Sequence, residues 1–296
     1  MNPAAGKPEG RRFRSRNATQ TAAFIFLGAC VLLILVPVLY IVIYTIVNGA
    51  GAISWDFLTQ LPKQRGLQGG IFSAIVGSFY LMVGVVAFAL PVGIMAAIYL
   101  HEYARQGPLV RLINLSIVNL AGVPSIIYGL FGLSFFVLML KMGSSLLAAS
   151  LTLSCMALPV VVTASREALA TVPNSYREGS LALGASRWQT IVRVVLPQAW
   201  PGILTGLVLA VSRAAGETAP ILITGTAFTA ILPTSLFDQF NALPYHLYVV
   251  ATQIPNMPKS TQWGITLVLL VMVLLFNLTA IILRIRLRAQ RKRVGL

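Results

Sequence analysis

The chain has 296 residues, 57% of them hydrophobic and only 10% charged, with a mean hydropathy of +0.83. This composition excludes a soluble globular domain and identifies a polytopic membrane protein. A net charge of +15 does not require a nucleic-acid partner, because the placement of the basic residues along the apolar segments accounts for it.

Runs of about 20 apolar residues cross a bilayer, and six candidates occur in chain order. Residues 1–20 read as an unstructured cytoplasmic tail, polar and basic. The first span, 21–47, is longer than the roughly 7–15 residues of a signal-peptide core, so it is read as retained although Ala50-Gly51-Ala52 follows it. Residues 48–70 form an outer loop in which Trp55 and Phe57 are expected at the membrane interface. The second span, 71–100, exceeds one straight crossing, and tilt or a kink at Pro91 absorbs the excess. His101, Glu102 and Tyr103 close it as an interfacial cap, since His-Glu without a second histidine is no zinc motif. The third span, 112–140, contains Asn119, the run Gly122-Val123-Pro124-Ser125, Gly129 and Gly132. Small residues at these spacings either let helices approach closely or break the backbone beside a cavity.

The fourth span, 146–164, is the shortest, and an inner segment follows it. The fifth covers 199–224, and residues 225–262 form the longest outer segment, with Asp238 its only acid and His246 expected at the surface. The sixth span, 263–284, leads into a basic tail, 285–296. Cys30 and Cys155 lie inside apolar runs and read as small packing residues rather than a disulfide or a metal site. With the N-terminus inside, 17 of the 22 lysines and arginines fall on inner segments. Only Lys63, Arg65, Lys141 and Lys259 fall outside, and Arg213 lies within a span. The positive-inside rule thus places both termini in the cytoplasm.

The inner segment Glu178 to Pro197 reads EGSLALGASRWQTIVRVVLP. Ser175 stands three residues before Glu178, and Ser186 three before Gln189, two capping-box spacings that predict a pair of short helices. Gly184 between them is suited to the left-handed conformation that lets the second helix leave at an angle. In that helix Trp188, Ile191, Val192, Val195 and Leu196 share one side, Arg187, Gln189 and Arg193 the other, and Pro197 is expected to stop it.

In the fifth span, Arg213-Ala-Ala-Gly-Glu217-Thr-Ala-Pro220 puts two charges in the membrane, where translocon scales assign about 2.5–3.5 kcal/mol to a central one. Four residues apart, they share a helix face. That face is either a self-neutralising ion pair or the lining of a path for a polar solute. A guanidinium suits an anion with phosphate-like oxygens, and Glu217 would then hold the arginine in place. Gly216 and Pro220 weaken the helix there and are expected to expose donors at a broken end.

The inner segment resembles the coupling loop of ABC-transporter permeases, whose pattern is Glu-Ala-Ala, three residues, Gly, nine residues, Ile-x-Leu-Pro. Glu178, Gly184, Leu196 and Pro197 match it, while Gly179 and Ser180 replace the alanines and Val194 the isoleucine. The resemblance implies that Glu178, Ala182, Gly184, Leu196 and Pro197 form the ATPase contact. RAAGETAP, with Asn119 to Leu133 (NLAGVPSIIYGLFGL) and Leu243 to Pro255 (LPYHLYVVATQIP), resembles the PstA-type phosphate permeases. This likeness runs from about Gly70 to Arg284 and implies a MetI-like, all-α importer fold in a bacterial cytoplasmic membrane. It further implies a transport domain over 70–284 with its coupling loop at 165–198, preceded by the first span and outer loop at 21–69.

It places Arg213, Glu217 and Thr218 on the substrate path. The implied partners are a PstC-type permease, a PstB-type ATPase dimer, a PstS-type phosphate-binding protein and membrane lipid, with no nucleic acid. The sole Gly-Lys pair, Gly6-Lys7, precedes a proline and is no P-loop, so ATP and Mg are expected on the ATPase and no cofactor on this chain. The alternatives are a sulfate- or molybdate-type permease and a secondary anion transporter. An intramembrane enzyme is disfavoured, since Gly-x-Ser-x-Gly, His-Glu-x-x-His and a second membrane acid are all lacking.

Overall fold

The computed structural model describes residues 10–63 and 68–294. Residues 1–9 of the tail, with Lys7, and Arg65 in the outer loop lie outside the described residues. The elements run α1 Gly10–Gly49, α2 Trp55–Thr59, a hairpin of Pro62–Lys63 with Gln68–Gly69, α3 Phe72–Ile98, α4 Pro108–Ala121 and α5 Ser125–Gly132. Then come α6 Leu146–Ala170, α7 Asn174–Ala182, α8 Arg187–Thr190, α9 Leu196–Ala215, α10 Ala219–Thr224, α11 Leu243–Thr252 and α12 Lys259–Val294. Helix α1 starts at Gly10, so the expectation of an unstructured tail to residue 20 fails for its second half. The apolar run propagates into the polar one because extending an existing helix adds a hydrogen bond per residue without a new nucleus.

Among the described residues, five helical segments are long and apolar enough to cross a membrane: Gln20–Ala52, Phe72–Tyr103, Leu146–Ala170, Arg187–Ala215 and Lys259–Thr279. The expected third span is not one helix. Pro108–Ala121 and Ser125–Met139 meet at 106°, because Pro124 takes an extended ψ of 140° as the N-cap of α5 and cannot continue α4. Tyr128 Oη braces the elbow by donating to Leu120 O at 2.8 Å. A sixth crossing exists only if the bent pair is one span.

The core is built on α6, expected to be the shortest crossing but 25 residues long. Its Leu153, Val161 and Leu169 are fully buried between α3 and α9, each side chain contributing about 1.5–3 kcal/mol. Gly202 and Gly206 on α9 face Ala168 and Ala164 on α6, and a Cβ on either glycine would sit only 2.6 or 2.2 Å from the alanine methyl. That is the small-residue packing by which membrane helices approach without a hydrophobic drive.

The outer segment folds back over the core. Ser145 Oγ accepts from Ala148 N and Ser145 N donates to Thr224 O of α10, while Leu146 N and Leu147 N donate to Asp238 O and Leu236 O, so this segment satisfies two of the first-turn donors of α6. His246, expected at the surface, is buried. Its ring stacks on Phe228 at 4.9 Å, and Asn241 Nδ2 lies 2.9 Å from its Nδ1. Phe57, expected at the interface, is buried with Ile71 and Leu243, whereas Trp55 is exposed.

Candidate functional site

The first candidate region is the helix pair α7 and α8. Pro173 caps α7, whose helical residues begin at Asn174, so Ser175 lies inside the first turn and the first expected capping box does not form. A proline's fixed φ starts the helix earlier than the serine would. The second box does form: Gln189 N donates to Ser186 Oγ at 3.2 Å and Ser186 N to Gln189 Oε1 at 2.8 Å. Gly184 has φ +84° with nothing within 4 Å of a Cβ placed on it, so glycine is required there by backbone conformation alone. The hydroxyls of Ser180 and Thr190 meet at 2.9 Å and tie the two helices together.

Pro197 does not stop the second helix. Residues Ile191–Val195 form a π turn in which Leu196 N bonds Ile191 O, and Pro197, lacking an N–H, sits where the ladder changes register. The result is one helical segment, Arg187–Ala215, about 40 Å long at 1.5 Å per residue. The widened turn also alters the face: Ile191 and Val195 are buried, but Trp188 and Val192 are exposed. Leu183 at 90% and Trp188 at 60% exposure give the pair an apolar surface turned away from the core. Glu178, Ala182, Gly184 and Pro197 are exposed and Leu196 is half-buried.

The second region is the break at the other end of that segment. Helix α9 ends at Ala215 and α10 begins at Ala219. Two of the amides in the gap are used: Gly216 N donates to Arg213 O and Glu217 N to Ala214 O, both at 3.3 Å. The break therefore does not present these two donors to an anion; the donors on offer are the Arg213 guanidinium, the Thr218 hydroxyl and the Thr218 amide, the last being the broken-end donor that the sequence predicts. Arg213 Nε stands 3.8 Å from Glu217 Oε1, with side chains 42% and 19% exposed. The pair is too long to be closed by a hydrogen bond, so it holds loosely and leaves the guanidinium N–H groups available. Next to it, Ser212 Oγ bonds Asn277 Oδ1 on α12 and fixes that turn of α9.

Helix α10 is held against α5 where Gly129 meets Pro220: a Cβ there would lie 2.9 Å from Pro220 Cα. Gly129 of the third apolar run thus positions the break in the fifth. Arg213 and Glu217 do come within 3.8 Å, but not on the shared helix face expected, because α9 ends at Ala215 and Glu217 and Thr218 lie in the break; nearly the length of the Arg187–Ala215 segment separates them from Glu178.

The contact that sequence reasoning missed is Arg177 with Glu102. Nη2 lies 2.8 Å from Glu102 Oε1, and both groups are largely buried. A signal existed: Glu102 is one of only seven acids in the chain and closes an apolar span, where an unpaired carboxylate is expensive.

The sequence profile of the family described as "Binding-protein-dependent transport system inner membrane component" matches residues 89–293. The chain is 35% identical to "Phosphate transport system permease protein PstA 1" of Mycobacterium tuberculosis (strain CDC 1551 / Oshkosh), over 96% of this chain and 93% of that one. It is 32% identical to "Probable ABC transporter permease protein YqgI" of Bacillus subtilis (strain 168), over 90% and 95%. Among solved structures, the MetNI methionine ABC transporter in an inward-facing form aligns with TM-score 0.58 at 17% identity, covering 73% of this chain and 97% of that one. At that identity it is the fold that is shared.

Proposed function

We propose a function from one premise: the chain belongs to the family of binding-protein-dependent transport system inner membrane components. It is the transmembrane permease subunit of an ATP-driven ABC importer, and its cargo is inorganic phosphate. The observation that carries the cargo is Arg213, a weakly held guanidinium at the break between α9 and α10, in a chain whose relatives include the PstA 1 protein. A guanidinium offers planar donors to phosphate oxygens. Glu217 holds it in place until the anion arrives, and the Thr218 hydroxyl supplies a further donor.

The transport domain is residues 70–284, with its coupling loop at 165–198. Glu178, Ala182, Gly184, Leu196 and Pro197 take part in the contact with an ATPase, and the exposed Leu183 and Trp188 support that assignment, because apolar surface on a polar helix pair is what a partner covers. The chain performs no chemistry itself. ATP and Mg belong to a separate PstB-type ATPase dimer, a PstC-type permease completes the pathway, and a PstS-type protein delivers phosphate at the outer segment. The complex sits in the bacterial cytoplasmic membrane. Tagging the chain and purifying the complex from membranes tests this: an ATPase and a second permease are expected to come with it. Isolation of the chain as a lone homo-oligomer would overturn the assignment.

A further inference from the structure

The second span ends in a π turn, Tyr99–Tyr103, that carries Glu102. The Glu102 side chain is 11% exposed and its Arg177 partner 15%. Arg177 Nε donates to both carboxylate oxygens at 3.3 Å and Nη2 to Oε1 at 2.8 Å. The same guanidinium donates to Val172 O at 2.6 Å, Leu169 O at 3.0 Å and Asn174 Oδ1 at 3.4 Å. One side chain thereby joins the end of α3, the end of α6 and the first turn of α7. The arrangement is the opposite of Arg213 and Glu217, which are more open and stand 3.8 Å apart. Arg177 is held from three sides, by Glu102, by the end of α6 and by the start of α7.

Packing alone does not make this joint. Leu100 shares a hydrophobic core with Ile191 and Val195, but beside that contact lies a cavity of about 200 Å³ lined by Glu102, Arg177, Leu181, Arg187, Thr190 and Ile191. The ion pair lies in its wall. At the other end, α3 is fixed to the outer segment, where Leu243 N donates to Ser78 Oγ at 2.7 Å and Ser73 Oγ to Thr229 O at 3.1 Å. The segment Phe72–Tyr103 is continuous helix, about 48 Å long at 1.5 Å per residue, and is bonded at both ends.

We infer that Glu102 is a positioning residue for energy coupling: it fastens the cytoplasmic helix pair to α3, so that a displacement of α7 is delivered along α3 to the outer segment. The inference rests on the reading of Glu178–Pro197 as the ATPase contact. Coupling between distant sites needs an element whose position both sites bias; α3, like α6, hydrogen bonds at one end to the pair and at the other to the outer segment, and Glu102 is the side chain through which α3 does so. Replacing Glu102 leaves the bonds from Arg177 to Val172 O and Leu169 O in place, so α7 stays folded on α6 while its link to α3 is weakened.

The test uses the whole complex, purified through a tag and reconstituted in vesicles with its substrate-binding protein, and compares wild type with Glu102→Gln and Glu102→Asp. The readout is phosphate imported per ATP hydrolysed. Glu102→Gln is expected to assemble with its ATPase in wild-type yield while this ratio falls about tenfold, the scale set by losing a charge-assisted hydrogen bond. Glu102→Asp, which keeps the carboxylate, is expected to recover most of the ratio. An unchanged ratio in an assembled Glu102→Gln complex overturns the inference, as does loss of assembly in Gln and Asp alike, which would make Glu102 a folding residue only. If Glu102→Gln alone fails to reach the membrane, Arg177→Lys, which keeps the charge and loses the fork, is measured instead, and a wild-type ratio there overturns it. Wild-type membranes that yield no ATPase remove the ATPase-contact reading itself, a result visible before any variant is made.

Discussion

Gly129→Ala perturbs the joint that positions the break in the fifth span. The added methyl would lie 2.9 Å from Pro220 Cα, 3.1 Å from Ile223 Cδ1 and 3.4 Å from Ala219 O. The isoleucine tip can turn aside, but the other two atoms belong to the α10 backbone, which follows directly on Glu217 and Thr218. Carbon atoms in contact sit about 3.5–4.0 Å apart, so α10 must retreat by roughly 0.6–1 Å, and overpacking of this kind costs about 1–3 kcal/mol. Gly122→Ala is the matched control, because its methyl meets only Asn119 O, at an ordinary 3.5 Å. Thermal unfolding of the purified protein should show Gly129→Ala lowered by about 2–4 °C for each kcal/mol, with labelled-phosphate uptake reduced and the control unchanged in both. Equal behaviour of the two variants would refute the claim that the α5–α10 contact sets the position of the break.

Two further expectations concern the outer segment and the orientation. Burial pushes the His246 imidazole down to about 4, below its unfolded value near 6.5. Its contribution is therefore fully present above pH 6.5 and is lost as the pH falls from 6.5 toward 4, up to about 3 kcal/mol. Hydrogen exchange across 242–252, corrected for intrinsic rates, should show less protection at pH 5 than at pH 7, and His246→Gln should flatten the difference; equal protection at both pH values in wild type would mean the ring is not held neutral. In a variant lacking Cys30 and Cys155, an impermeant maleimide should label a cysteine at Ser54 from outside cells and one at Ser186 only after permeabilisation. Outside labelling at Ser186 would reverse the topology.

The apolar segments were legible from composition because length and hydropathy are local properties. The 106° elbow was not, since hydropathy carries no direction: Gly122-Val123-Pro124 marked a possible break without saying how far the chain turns. Pro197 misled for a related reason. A proline stops a regular α-helix, but the π turn at Ile191–Val195 removes the need for its missing N–H. The Ser175 box failed because Pro173 opens α7 first. Arg213 and Glu217 stood out because charge within an apolar run is visible locally, and Gly184 because its neighbours are helix signals. Glu102 and Arg177 are 75 positions apart in the chain, and no local pattern pairs them. The burial of His246 likewise depends on Phe228, Asn241 and the start of α3, which only the fold assembles.

The proposed transport path depends on Arg213 meeting phosphate at the break in the fifth span. Uptake of labelled phosphate by cells carrying Arg213→Ala measures it most directly, with co-purification of the ATPase as the control for assembly. Uptake is expected at background in Arg213→Ala and at an intermediate rate in Arg213→Lys, which keeps the charge but not the planar fork. Phosphate accumulation at the wild-type rate in an assembled Arg213→Ala complex would contradict it.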